Sequence, residues 1–447
     1  MKKGRSLVCL LTGMMLIVPT LLSAQETTDT LKKEREVKIS LHLLAQGEYR
    51  DGGLFSGDEL KDIDDLHDYA HFAVGRARLI VEYKQPSLEM KLTAQHQGVW
   101  GESGRGNFNI YEAWAKASTK NGFFAQIGRQ TLAYDDERVI GPNDWAMAAS
   151  SHDALRLGYE GHGHKAHLIL AYNQNSENVD SGGSFYVDGA QAYKTMQTLW
   201  YHYDVPRIPL GVSLLFMNIG MQKGETEKEA STEFQQLLGG YIKYSPEKWF
   251  AEGSYYHQMG REEHGIKLKG WMTSVKAGWL PTETYKLEAG FDYLSGDKYF
   301  AVPGKGEVGL ARHEDYGGFY SMYGSHHKFY GAMDFFYVSA YVNGFSPGLQ
   351  NAYIGGEVKP IKNLTLNAYY HYMAMATTLE NINKTLGHEI ELGASYDFGD
   401  VATLSAGFSY MTGTKTMEQL KRASNDGSLR WGWITLNIKP TIFSTKW

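Results

Sequence analysis

The chain has one cysteine, 11 prolines among 447 residues and no surplus of positive charge. Cys9, the single thiol, lies inside an N-terminal segment that reads as an export signal, which leaves the rest of the chain without a disulfide framework or thiolate chemistry. That signal consists of Lys2, Lys3 and Arg5, an apolar run from Leu7 to Leu22 broken by Pro19, and Ser23-Ala24-Gln25 at the expected cut. Cleavage after Ala24 removes three cations and takes the net charge from −6 to −9, which argues against a nucleic-acid partner. After the signal no apolar run approaches the roughly 18 residues of a spanning helix. What the chain does have is 50 Gly, 30 Tyr and 10 Trp, a bias toward aromatic-rich β structure. Two architectures fit: a large secreted β protein, or an outer-membrane barrel whose alternation conceals its hydrophobicity.

Strand length decides between them. Val37, Ile39, Leu41, Leu43 and Ala45 alternate with Lys38, Ser40 and His42. The same pattern recurs at Leu88–Gln95, Lys165–Asn173, Tyr285–Tyr293, Leu364–Tyr372 and Glu389–Phe398. These runs exceed the ~5 to 6 residues usual in a soluble sheet. In lipid only helices and closed barrels satisfy every backbone hydrogen bond. The reading is therefore all-β, a closed transmembrane antiparallel barrel.

Turn signals give its size. Tight connections are expected at Gln85-Pro86, Lys120-Asn121-Gly122, Gly161-His162-Gly163, Val205-Pro206, Ser245-Pro246, Pro281-Thr282, Pro360-Ile361 and Gly399-Asp400. A long polar connection separates each consecutive pair, so eight short turns join nine up-down pairs. That makes about 18 strands, with both termini periplasmic. The expected organisation is a signal peptide at 1–24, a flexible lead at 25–36 and one barrel at 37–447, with long infolding loops near 133–150 and 296–348. Phe335–Val342 looks strand-like but is kept in the second loop by even parity. Ile434, Leu436, Ile438 and Ile442 set the apolar parity of the last strand, with Trp447 on the opposite one.

With Leu79, Val81 and Tyr83 facing lipid, Arg76 and Arg78 face the lumen, as do Lys91 and Arg156 on their own strands. Arg129 shares its parity with Ala125 and Ile127 and reaches the lumen only if a bulge at Gly128 or a site below the rim turns it. Such arginines offer planar donors for carboxylates and phosphates, or else pair with Glu89, Glu112 or Asp153 and brace the wall. The most charged stretch, Ile127–Tyr159, holds Asp135-Asp136-Glu137, which reads as a calcium cluster or as solvated loop acids paired with Arg138. His152-Asp153 beside Ser150 and Ser151 invites a hydrolase reading, but no triad assembled across strands and no oxyanion hole is visible. The pair His326-His327 lacks a companion at ligand spacing. The cluster Tyr316, Phe319, Tyr320, Tyr323, Phe329 and Tyr330 reads as a sugar-stacking surface or as a plug.

Gly128-Arg129-Gln130, Tyr134-Asp135-Asp136-Glu137-Arg138, Gly141, Asp144-Trp145 and His152-Asp153-Ala154-Leu155-Arg156 together resemble the signature of the alginate-export family of outer-membrane porins. His327–Asp334 resembles that family's H-x-x-x-G-x-x-D element. The resemblance implies a passive channel for anionic polysaccharide or oligosaccharide in a Gram-negative outer membrane, with selectivity from lumenal arginines. It carries that role to Arg76, Arg129 and Arg156, and further to Arg78 and Arg138. Lys91, Asp135, Asp136 and Asp153 complete the expected pore lining. A nutrient-uptake porin for small solutes and a barrel enzyme are the alternatives. A monomer is expected, with outer-membrane lipid, an anionic saccharide or other small solute, and a periplasmic or export-machinery protein as partners; no nucleic acid, cofactor or metal is expected.

Overall fold

The computed structural model describes residues 34–52, 69–104, 106–175, 185–186, 191–224, 226–262, 265–297, 315–336, 346–379, 382–421 and 428–447. The expected signal peptide and the strand-like 337–342 lie outside them. No described helix is long and apolar enough to cross a membrane.

Each strand pairs with the next in antiparallel register, from β1 (Glu36–Asp51), β2 (Tyr69–Gln85), β3 (Leu88–Val99) and β4 (Asn107–Ser118) through β5 (Phe123–Gln130), β6 (His152–Gly161), β7 (His164–Tyr172), β8 (Thr195–Asp204) and β9 (Leu210–Lys223). The series continues with β10 (Ser231–Tyr244), β11 (Trp249–Gly260), β12 (Trp271–Thr282), β13 (Tyr285–Leu294), β14 (Leu349–Ile361), β15 (Leu364–Ala374), β16 (Thr385–Phe398) and β17 (Ala402–Gly413). It ends in β18, split into Ser428–Ile438 and Thr441–Lys446, and both segments pair with β1. The result is a closed barrel of eighteen strands.

Eight tight turns lie on one rim, as the turn signals predict, but two of them form slightly later in the chain. β12 continues through Pro281 and β14 through Pro360, and in both cases the register breaks at the proline. Proline has no N–H for the ladder, so it is accommodated where the ladder is already interrupted. The break in β18 falls at Pro440, whose carbonyl accepts from Leu41 N at 3.0 Å. A second irregularity follows: Ser40 pairs with Thr441 but Ile39 with Phe443, leaving Ile442 unopposed.

The outer face is apolar and exposed, with ring pairs near each end. Trp249–Trp279 and Phe123–Tyr159 lie toward the short turns, and Trp271–Tyr293 lies toward the long loops. Aromatic girdles of this kind mark the two interfaces of a membrane barrel. The inner face departs from simple polar lining. Leu214 is 59% exposed outside while its neighbour Leu215 is 1% exposed inside, and Met217 and Ile219 are equally buried. They pack into one cluster with Leu132 and Ile140 of the 131–151 loop, Phe319 and Tyr330 of the 295–348 loop, and Met417 and Leu420 of a short helix, α1 (Lys415–Lys421). Each such side chain contributes ~1.5–3 kcal/mol on burial, so the loops are held inside the barrel as a second, internal core.

Candidate functional site

The 131–151 loop is bound at two ends. Its acidic run is dispersed: Asp135 accepts from Trp200 Nε1 at 3.1 Å, Asp136 from Arg138 Nε at 3.1 Å, and Glu137 from Ser325 Oγ at 2.9 Å and Lys328 Nζ at 2.5 Å. These three acids serve four separate partners and do not converge as a calcium cluster. Asp135, Glu137, Asn143 and Ala149 all have positive φ, a density of left-handed residues that only tertiary contacts sustain.

At one end Arg138 is buried. Besides Asp136 it meets Asp292 of β13 at 3.2 Å and donates to Ser274 Oγ of β12 at 3.0 Å, with the Phe329 ring 4.0 Å from its guanidinium carbon. Burial alone lowers its pKa, but Asp292, Tyr330 and Asp136 outweigh that and hold it well above the ordinary arginine value. Asp292 also begins a polar belt along the inner wall. Asn351 donates to it at 2.9 Å, His371 Nδ1 lies 2.9 Å from Asn351, and His371 Nε2 lies 3.2 Å from Glu391 of β16. The belt ends on the second loop, where Ala332 N donates to Glu391 at 2.6 Å and Met333 N to Glu389 at 3.0 Å.

At the other end Asp144 meets both arginines of β2. Arg78 Nη1 lies 2.7 Å from its carboxylate and Arg76 Nη2 3.3 Å, while Arg76 Nη1 also donates to the carbonyls of Asp144 and Ala146. Trp145 stacks on His327 with centroids 4.0 Å apart, and His327 Nδ1 lies 2.7 Å from Asp334. The two loops are joined along their backbones as well: Gly141 N donates to Tyr323 O, and Tyr323 N to Val139 O. Gly141 is needed at this crossing, because a Cβ there would lie 2.4 Å from Ser325 Oγ. In an eighteen-stranded ring β2 and β12–β13 are near-opposite, so the 131–151 loop is a strap across the lumen.

Lys91 lies on the inner face, neutralised by Glu112 at 2.6 Å. Arg156 also lies inside, where it donates to Gln126 Oε1 at 2.5 Å and is a hydrogen-bond neighbour of the Tyr134 hydroxyl. Its guanidinium carbon is 5.6 Å from the Phe124 ring, and Lys116 Nζ is 4.4 Å from the same ring. Phe124 lies flat over Gly158, where any side chain would collide with it. Among the described residues neither Lys116 nor Arg156 makes an ion pair. Lys116 escaped the sequence reading because nothing in its strand marks it apart from other inward lysines.

Arg129 and Asp153 correct the expected pore lining. Gly128 stays in register with Trp114 and Ala154, so no bulge turns the next residue inward. Arg129 keeps the outward parity of Ile127, pairs with Asp153 at 2.7 Å and donates to Ile110 O. His152 is buried inside with its Nδ1 2.8 Å from Tyr193 OH, away from any nucleophile arrangement. The aromatic cluster of the second loop is a plug, with Phe319 and Tyr330 in the internal core.

A closed eighteen-stranded meander with girdled walls, tight turns on one rim and long infolding loops on the other defines an outer-membrane porin, a channel of the Gram-negative outer membrane. The sequence profile of the alginate export family matches residues 68–399, and the chain belongs to that family. No functionally curated protein matches it. Solved structures share the fold at low identity: a BenF-like porin from Pseudomonas fluorescens Pf-5 has a TM-score of 0.59 at 10% identity, covering 91% of this chain and 99% of that one. OpdL of Pseudomonas aeruginosa gives 0.59 at 11%, with coverage of 91% and 99%. OccK2 (OpdF) of the same organism, solved in complex with glucuronate, gives 0.58 at 10%, with coverage of 91% and 98%.

Proposed function

We propose that this channel passively conducts anionic saccharide, in monomeric form, with its short-turn rim and both termini facing the periplasm. The observation that carries the reading is the pair Lys116 and Arg156, two cations fixed on one aromatic ring on the lumenal wall and, among the described residues, without an acidic partner. A guanidinium offers a planar fork that suits a carboxylate. Arg76, Arg78 and Arg138 already have carboxylates of the protein, so they shape the passage more than they read the solute. A second reading, uptake of single acidic sugars, is favoured by the filled interior, where loop and wall side chains share one apolar core beside a cavity of about 440 Å³. Among the described residues no arrangement of nucleophile and base favours an enzyme.

Reversal potentials in planar bilayers under a salt gradient test the selectivity. Arg156→Ala and Lys116→Ala each lower the anion preference, and glucuronate binding inside the channel weakens about tenfold in Arg156→Ala, the scale of one charge-assisted hydrogen bond. Unchanged reversal potentials in both variants would remove the claim.

A further inference from the structure

The cavity of about 440 Å³ lies inside the barrel between Asp135 of the strap and the wall of β7–β10, toward the short-turn rim. It falls in the lower part of the ~300–1,000 Å³ range of small-ligand sites. Its charges cancel. Lys165 and Lys243 project into it, but Lys165 is 3.4 Å from Asp204, which also lines it, and Lys243 is 3.1 Å from Glu252. Such a lining gives a carboxylate no advantage and offers donors and acceptors in equal measure.

Asp135 adds a directional feature. Its Oδ1 accepts from Trp200 Nε1 and the Ser213 hydroxyl also stabilises the carboxylate, while among the described residues Oδ2 has no partner within ordinary hydrogen-bond distance. An unpaired buried acceptor is unfavourable, and a donor entering the cavity would relieve it. Trp200 is immobilised between Tyr134 and His202, with centroids 4.8 and 5.5 Å away, so the carboxylate is held in place. Tyr241 supplies a half-buried ring on the opposite wall, suited to the C–H face of a sugar. Hydroxyl donors for Asp135, hydroxyl acceptors for the lysines and an apolar ring face are the attributes of a pyranose.

The cavity also adjoins the cation pair. His167 lies edge-on to Phe124 at 5.2 Å and 5.1 Å from Trp200, so one imidazole separates the two places. We propose that the cavity is a subsite for one uncharged pyranose unit, so that an acidic saccharide is held by its carboxylate at Lys116 and Arg156 and by a neighbouring ring here. This rests on the saccharide-channel reading above, which it extends with a second recognition point.

Single channels in planar bilayers test it with glucose and glucuronate added separately to each side. In the wild type, glucose interrupts the current more from the short-turn side than from the loop side. Asp135→Asn, which keeps a residue tolerant of the positive φ, and Tyr241→Ala each shorten the glucose events about tenfold. Heat-modifiable migration on gels verifies that both variants are folded. Glucose events that are absent in the wild type, or the same length in both folded variants, overturn the subsite. The channel reading fails on a different result: a wild-type channel without anion preference.

Discussion

Arg138 and Arg156 belong to one charged stretch, eighteen residues apart, and both project into the barrel, yet their surroundings are opposite. Arg138 is enclosed by Asp136, Asp292 and Ser274, with an aromatic ring over it. Arg156 rests on Phe124 with a second cation beside it and, among the described residues, neutral hydrogen-bond partners in the Gln126 amide and the Tyr134 hydroxyl. The difference lies in what the opposite wall and the loops supply. A lumenal arginine that meets acids on a distant strand fastens a loop, whereas one that meets only neutral groups keeps its donors for whatever passes.

The comparison is broken most severely at Arg138. Arg138→Ala strands Asp292 and Asp136 in a buried site and is expected to cost about 3–5 kcal/mol, measured by urea unfolding in lipid vesicles with tryptophan fluorescence. A loss below about 1 kcal/mol would mean that the strap is not anchored there. Asp144→Asn acts on the exposed end, where the carboxylate is 45% accessible, and is expected to cost only about 1–2 kcal/mol. Because it frees Arg76 and Arg78 from their counter-charge, it should also raise anion preference, bringing them closer in behaviour to Arg156; a fall in anion preference contradicts the distinction drawn here. Arg129→Ala is the smallest change. Its pair with Asp153 lies on the outer face, so stability should shift by no more than about 1 kcal/mol and reversal potential not at all.

Much of the scaffold is legible in the sequence because its signals are local. Strand alternation repeats every two residues, and Gly, Asn and Pro mark the tight rim, so the number of strands can be counted from them. The two displaced turns show the limit of that rule: Pro281 and Pro360 interrupt hydrogen bonding without ending their strands. Parity read from Leu79 and Val81 places Arg76 and Arg78 inside, where the structure has them buried. At Gly128 the same rule gave two answers, and only the register with Ala154 chooses between them. The internal core was hidden for a different reason. Leu214, Leu215, Phe216 and Met217 are apolar on both sides, so no period distinguishes lipid from plug. The strap's anchor could not be read at all, since Asp292 stands 154 residues from Arg138 and nothing local ties them.

The unopposed Ile442 works as a phase inverter. Counting by twos from Ile434, Leu436 and Ile438 assigns Phe443 to the interior, but skipping one residue brings Phe443 and Thr445 level with outward Ile39 and Val37. Trp447, which the sequence alone puts out of step, shares the alternation of those two residues. Deleting that single isoleucine would therefore remove the inverter and its bulge together, and leave Phe443 opposite Ile39 in an unbroken ladder with the outward face unchanged.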